Sequence, residues 1–377
     1  MKVKLEKINL NNLDKSNWES FRFEEITYRV SEGVDPNTTT LEKYVGLEHI
    51  DAENIHIKRF GIPDDVSGGK LKCYPGDVIF GKRRAYQRKA AIADFEGICS
   101  AHAFVFRANP EIIDPKLFPF FLHSDQFMHR AVDISVGGLS PTINWGDLKH
   151  QEFLLPPKIE QARLAELLWA VDEVIEKEIE LLNKLKSTLY SYTKHLFENE
   201  ESKIQIKHFV TNVKSKKAME GIIPYLEIGD INIDNKTIEF KSKESVKGSI
   251  IANDNSILIS KVRPNRGAIC FLKESNIVSN GFAVIQPKSI EVNPKYLFYC
   301  LAWNLNFFNL MARLATGSTY PTISDDDILN YCIPSLNLIE QNKYTSKMDN
   351  VYLLVLKLES KISDSQSLQK SLINKIF

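Results

Sequence analysis

Cysteine is scarce in this 377-residue chain, and the five present (Cys73, Cys99, Cys270, Cys300 and Cys332) are widely spaced and odd in number. No C-x-x-C pair occurs, so neither a zinc ribbon nor a disulfide framework is expected, and reduced core thiols fit a cytoplasmic protein. The eight histidines lack H-x-x-x-H spacing, so no metal site is predicted. An excess of either charge is also missing, with Lys+Arg and Asp+Glu both at 48. Any contact with nucleic acid must therefore come from local basic patches. No apolar run approaches the ~20 residues needed to span a bilayer. The opening Met1–Lys15 has no apolar core, so no leader peptide is expected.

Motifs of chemistry are absent as well. Without G-x-x-x-x-G-K-[ST] no nucleotide hydrolysis is implied. No N-P-P-[FYW] or D-P-P-[FYW] tetrapeptide of adenine methyltransferases occurs, since Leu155-Pro156-Pro157-Lys158 lacks both the polar leader and the aromatic. Asp325-Asp326-Asp327 directly follows Ser324 and reads as the acidic first turn of a helix rather than a metal site. No catalytic residue is predicted.

What the chain does contain, it contains twice. YVGLEHI (Tyr44–Ile50) recurs as YLEIGDI (Tyr225–Ile231), and GDVIFGKRR (Gly76–Arg84) as NSILISKVR (Asn255–Arg263). CSAHAFVF (Cys99–Phe106) aligns with VSNGFAVI (Val278–Ile285), and DPKLFPFFL (Asp114–Leu122) with NPKYLFYCL (Asn293–Leu301). GGLSPTI (Gly137–Ile143) answers GSTYPTI (Gly317–Ile323), and I-E-Q at Ile159–Gln161 returns at Ile339–Gln341. All six blocks keep one order at an offset of 179 to 181 residues. That period is too long for a solenoid, so a whole domain with its linker is duplicated. Copy one carries extra residues before its first matched block.

Each copy begins with short Val-, Ile- and Phe-rich runs broken by Gly, Asn and Pro, the pattern of half-buried strands. Helices are expected after Asp114-Pro115 and Asn293-Pro294, where the polar residue caps and proline suits the first turn. Each copy closes with a long helix, predicted over Gln161–Phe197 and Gln341–Phe377 and roughly 55 Å long. The first shows a 4-3-4-3 seam of Leu164, Leu168, Val171, Ile175, Glu178, Leu182, Leu185, Leu189, Tyr192 and Leu196. The second repeats it with Tyr344, Met348, Val351, Val355, Leu358, Ile362, Ser365, Gln369, Leu372 and Ile376. Such seams mark coiled-coil packing. Connectivity makes the pair antiparallel if the helices meet each other. The expected fold is α+β, with two similar domains held apart by an antiparallel coiled coil in a pseudo-twofold arrangement.

This ordered set resembles the specificity subunits of type I restriction–modification systems over essentially the whole chain. The resemblance implies a target-recognition domain at residues 1–157, a central helix at 158–198, a second recognition domain at 199–335 and a C-terminal helix at 336–377. It further implies that each domain reads half of a bipartite target in double-stranded DNA. The helices then set the gap and bind methyltransferase subunits, two of them expected, with restriction (translocase) subunits joining through the complex. S-adenosylmethionine, ATP and magnesium are expected on those partners and no cofactor on this chain.

Reading DNA requires cations for phosphates and planar polar groups for base edges. Lys82, Arg83, Arg84, Tyr86, Gln87, Arg88 and Lys89 cluster directly after a predicted strand, and Lys261, Arg263, Asn265 and Arg266 occupy the equivalent place in copy two. These are the candidate DNA-binding residues. The GGLSPT and GSTYPT loops offer N–H groups and hydroxyls to a phosphate, but read better as tight turns at the domain–helix junction. Lys203, Lys207, His208, Lys214, Lys216 and Lys217 form a further basic cluster. Two other classes stay open: a nuclease with an unrecognised carboxylate site, and an assembly scaffold whose domains bind protein. Within the DNA-reading class, service to an orphan methyltransferase also remains.

Overall fold

A computed structural model describes residues 13–210, 217–241, 243–288 and 290–377. Lys214 and Lys216 of the basic cluster lie outside the described residues. Two compact units divide the chain, the first comprising Met1–Lys177 with Ser363–Phe377 and the second Glu178–Ile362.

In the first unit Val78–Gly81 is a central strand, paired antiparallel with Ala103–Ala108 on one side and Ala90–Ile92 on the other. Thr27–Val30 extends the sheet beyond Ala103–Ala108. A second four-stranded sheet runs in the order Gly33–Val34, Lys70–Cys73, Gly97–Cys99 and Tyr44–Val45. The central strand is buried at all four positions because both faces are covered. Val78 and Phe80 pack with Phe118, Phe121 and Phe127 of the following helices, whereas Ile79 packs with Val45, Cys73 and Cys99. Alternate side chains of a strand point to opposite faces, so a doubly covered strand reads as a continuous apolar run.

The second unit repeats the inner part of this order in two three-stranded sheets among the described residues. Ile257–Ser260 pairs with Ile269–Phe271 and Phe282–Ile285. Ile257 and Ile259 face a core with Trp303, Tyr296 and Phe307, and Leu258 faces the opposite one with Leu226 and Val278. Asn293 caps the helix Pro294–Ala302, its side chain accepting from the Lys295 and Tyr296 amides. In the first unit the corresponding helix begins only at Phe118, after hydrogen-bonded turns over Asp114–Leu117. Pro119 explains the later start: it has no N–H to donate to the carbonyl of residue 115, so a helix begun there would lose that bond. Four of the five cysteines are buried; Cys332 is exposed on a short strand, contrary to the expectation of core thiols throughout.

The long helices span Lys158–Asn199 and Leu338–Ile376, starting three residues before the sequence-based bounds. Asn337 caps the second, exchanging hydrogen bonds with Glu340. The repeated glutamine of I-E-Q has a clear role. Gln161 is buried, accepts from the Asp114 amide and donates to the Ile112 and Pro156 carbonyls. Gln341 likewise accepts from the Asn293 amide and donates to the Leu336 carbonyl. Each glutamine thus ties a helix entry to the turn that opens the preceding short helices.

Seam residues Leu164, Leu168, Ile175, Leu189, Met348, Val355 and Ile362 are buried, and Val171, Leu182, Leu185, Val351, Leu358 and Leu372 are half-buried. Within the second unit the helices touch in antiparallel order, Glu178 with Lys361, Lys186 with Glu359 and Thr193 with Tyr344. In the first unit Leu164 and Leu168 share a cluster with Ile373 and Ile376, and Gln369 donates to Asp172. Tyr192 departs from the expected seam: it is exposed, and Thr193 is buried in its place. A straight helix drifts about 20° per heptad from a 3.5-residue repeat, and the Thr193 hydroxyl finds both Tyr344 and the Tyr299 carbonyl. No helix among the described residues is long and apolar enough to cross a membrane.

Candidate nucleic-acid interface

Both basic segments fold into the same unusual turn. After Val78–Gly81 the chain reaches Arg84 in the left-handed region (φ 57°), makes a single 3-10 turn over Ala85–Gln87 and leaves through Arg88, again left-handed (φ 52°). After Ile257–Ser260 it repeats the path with Arg263 (φ 48°), Pro264–Arg266 and Gly267 (φ 69°). A left-handed arginine costs about 1–3 kcal/mol and persists only where the surroundings impose it.

The surroundings here are the G-x-x-x-P-T loops. Arg84 N–H donates to the Pro141 carbonyl at 2.7 Å, and Ile143 N–H to that of Lys82 at 2.9 Å. In copy two Arg263 N–H donates to Pro321 at 2.8 Å and Ile323 N–H to Lys261 at 3.0 Å. Thr142 and Val136 exchange both backbone hydrogen bonds, as do Thr322 and Thr316, closing each loop on itself. Gly137 (φ 114°) and Gly317 (φ 104°) occupy backbone that a side chain would strain. The loops are therefore tight turns as expected, but they buttress the basic turn; a short helix and the strand Glu152–Leu155 separate the first from the long helix.

This folding divides the candidate residues by role. Arg83 and Arg84 are exposed and Lys82 half-buried, and none is ion-paired among the described residues. Tyr86 is exposed and Gln87 half-buried on the 3-10 turn. Arg88 instead pairs with Glu53 at 2.9 Å and Asp125 at 2.8 Å, and donates to the His123 carbonyl. Lys89 donates to the Leu47 carbonyl at 2.5 Å. Those two anchor the turn. Their counterpart at Gly267 has no side chain; there buried Lys236 donates to the Gly267 carbonyl at 3.0 Å. Burial holds the Lys236 ammonium well down, at about 8. Asn265 and Arg266 are exposed, Arg263 reaches the Thr319 carbonyl, and Lys261 pairs with Asp325 at 3.1 Å. Of the other basic cluster, Lys207 donates to Asn330 and Lys203 opens a strand paired with Cys332–Pro334.

One cation escaped the sequence reading. Arg29 lies over the Phe104 ring at 5.3 Å, and Lys82 Nζ over the same ring at 5.1 Å. The pairing of Thr27–Val30 with Ala103–Ala108 brings Arg29 there, opposite Phe106. Burial, then the nearby Arg29 charge, depresses the Lys82 ammonium below the usual lysine range. Two cations sharing a ring, with no carboxylate partner among the described residues, form a place where an anion is favoured. Only a lone arginine in a short strand announced it, which is no usable signal.

The fold and this geometry define a duplicated α+β protein with a clamped basic turn in each copy. The family model described as "Type I restriction modification DNA specificity domain" matches residues 15–187 and again 203–365. The chain belongs to that family, and its role is the recognition of DNA sequence, targeting rather than catalysis. Among its relatives is the type I restriction enzyme MjaX specificity subunit of Methanocaldococcus jannaschii, 24% identical over 367 residues, covering 86% of this chain and 83% of that protein. The EcoDI specificity subunit of Escherichia coli is 28% identical over 169 residues, 44% of this chain and 37% of the relative. In fold the chain is similar to the type I restriction–modification S subunit of M. genitalium, with a TM-score of 0.61 at 17% identity, covering 97% and 98% of the two chains. A chain solved in work on assembly and conformational transition of the type I R-M system gives 0.55 at 21% identity, covering 96% and 97%.

Proposed function

We propose that this chain is the specificity subunit of a type I restriction–modification complex in which each unit reads one half of a bipartite DNA target. The observation that carries the reading is the recurrence of one device, a left-handed arginine opening a basic 3-10 turn that a G-x-x-x-P-T loop clamps. Lys82, Arg83, Arg84 and Arg29 in one unit, and Arg263 and Arg266 in the other, are the proposed phosphate or base contacts, with Tyr86, Gln87 and Asn265 beside them. Arg88 and Lys89 support the turn from behind.

The two long helices, on this reading, pair as an antiparallel coiled coil about a pseudo-twofold axis, set the gap between half-sites and dock two methyltransferase subunits. The duplicated seam and the opposed contacts within each unit support it. On the same reading the recognition domains span 1–157 and 199–335, and the helical regions 158–198 and 336–377. S-adenosylmethionine, ATP and magnesium belong to the partner subunits, including a restriction subunit, and the complex works in the cytoplasm.

Domain exchange tests the proposal. Residues 20–157 are replaced by the same region of a related subunit, and methylated adenines are sequenced in a host carrying the system. One half of the recognised sequence should change while the other stays. A swap that alters both halves together contradicts independent reading.

A further inference from the structure

At their tips the clamping loops present two large apolar side chains to solvent; Val136, also exposed, sits at the base of the first loop, paired with Thr142 through the backbone. Leu139 is 96% exposed and Tyr320 65% exposed. A single exposed apolar residue is ordinary on a protein surface, but these two share three further features. Each sits on a loop fastened to a basic turn by the backbone hydrogen bonds described above, so it is presented by rigid backbone. Each loop is in direct contact with the left-handed arginine of its turn: Arg84 Nε donates to Ser140 Oγ at 3.1 Å, and the Arg263 guanidinium lies 4.8 Å from the centre of the Tyr320 ring. Finally, the loop residues around them are small, Gly137, Gly138 and Ser140 in one copy and Gly317, Ser318 and Thr319 in the other, so one side chain dominates each tip. The tips fall one position apart in the aligned loops, since Tyr320 matches Ser140.

Building on the DNA-reading proposal, we infer that Leu139 and Tyr320 are apolar DNA contacts, each pressed against the base stack beside a phosphate held by Arg84 or Arg263. Aliphatic and aromatic side chains alike serve as wedges at base steps of a duplex, and a ring so placed stacks on the base face that the opened step exposes. A guanidinium at the edge of such a tip neutralises the backbone that flanks the step. One tip is aliphatic and the other aromatic, so the two half-sites are met differently at this point. Apolar contact releases no counterions, whereas phosphate contact does. The two kinds of residue therefore leave different signatures in salt.

The test uses the full chain and a duplex carrying the target mapped from methylated adenines, with affinity measured across salt concentrations. Leu139→Ala and Tyr320→Ala should each weaken binding by about tenfold at every salt concentration, with the log–log slope unchanged. Leu139→Met and Tyr320→Phe should bind like the parent. Arg84→Ala should flatten the slope by about one unit. If the alanine tip variants bind like the parent while Arg84→Ala flattens the slope, the inference about the tips is wrong and the basic turn still reads DNA. A tip variant that also changes the slope would be acting through the arginines, which overturns the inference too. Should Arg84→Ala change neither affinity nor slope, the underlying reading of the turn fails, and the tips with it.

Discussion

Lys82, Arg83 and Arg84 are adjacent in sequence but meet different neighbours. Lys82 shares the Phe104 ring with Arg29, whereas Arg83 and Arg84 face solvent. Cations that no carboxylate among the described residues pairs break no ion pair when a phosphate arrives, whereas Arg88 would have to leave Glu53 and Asp125. Replacing Lys82, Arg83 and Arg84 together by alanine should weaken duplex binding and reduce the salt slope by roughly one unit for each phosphate no longer neutralised. Arg29→Ala should remove about one unit by itself. Arg88→Ala should leave the slope as it is and lower thermal stability instead. If one of the exposed arginines forks onto a guanine, its loss costs about 1–3 kcal/mol and relaxes one half-site alone. An unchanged slope in the triple variant would move the phosphate surface elsewhere.

Between elements, the most telling contact in the first unit joins the loop after Tyr44–Val45 to the first long helix. His56 Nε2 lies 2.7 Å from Asp172 Oδ2, and Gln369 donates to the other oxygen of the same buried carboxylate. Glu176 and Lys58, themselves paired at 2.7 Å, flank the contact, and the Trp169 ring meets the imidazole edge-on. The hydrogen bond to Asp172 is the main reason the histidine is raised above its ordinary value, against an opposing effect of burial. A raised folded value means the tie contributes fully below the unfolded value near 6.5 and fades as pH climbs through the folded one. The melting temperature should therefore drop by a few degrees as pH rises from about 6 to 8, beyond any drop shown by His56→Gln. Parallel pH curves for the two proteins would remove His56 from the account. The helices themselves were legible because apolar side chains repeat along them; the Thr193-for-Tyr192 exchange was not, since it depends on hydrogen-bonding partners more than a hundred residues away.

For the molecule as a whole, the proposal that paired helices set the gap has a length test. One heptad added to a single helix should mismatch the seam and destabilise the protein. A heptad added to both, after Leu182 and after Ile362, restores register because the seam repeats every seven residues. Each helix then grows by about 10 Å, or about three base pairs at ~3.4 Å each. Since three pairs also turn the duplex by about a third of its repeat, some bending must absorb the rotation. The methylated target should keep its half-sites and gain two to four pairs of gap. Full activity on the original spacing would mean that the helices do not measure it.

Duplication, the two long helices and the position of both basic turns follow from the sequence alone, because each rests on order or periodicity along one stretch of chain. The repeated I-E-Q and G-x-x-x-P-T blocks were visible too, but their work was not: Gln161 meets Asp114, and Pro141 meets Arg84, only after folding. Tertiary structure also decided which cations are available. Strand pairing carried Arg29 to Lys82 across 53 positions, and Glu53 with Asp125 drew Arg88 away from solvent. Charge is written residue by residue, whereas whether a charge is free depends on partners distant in the chain. That is why the sequence could mark out the proposed interface but not which of its cations the fold leaves unpaired.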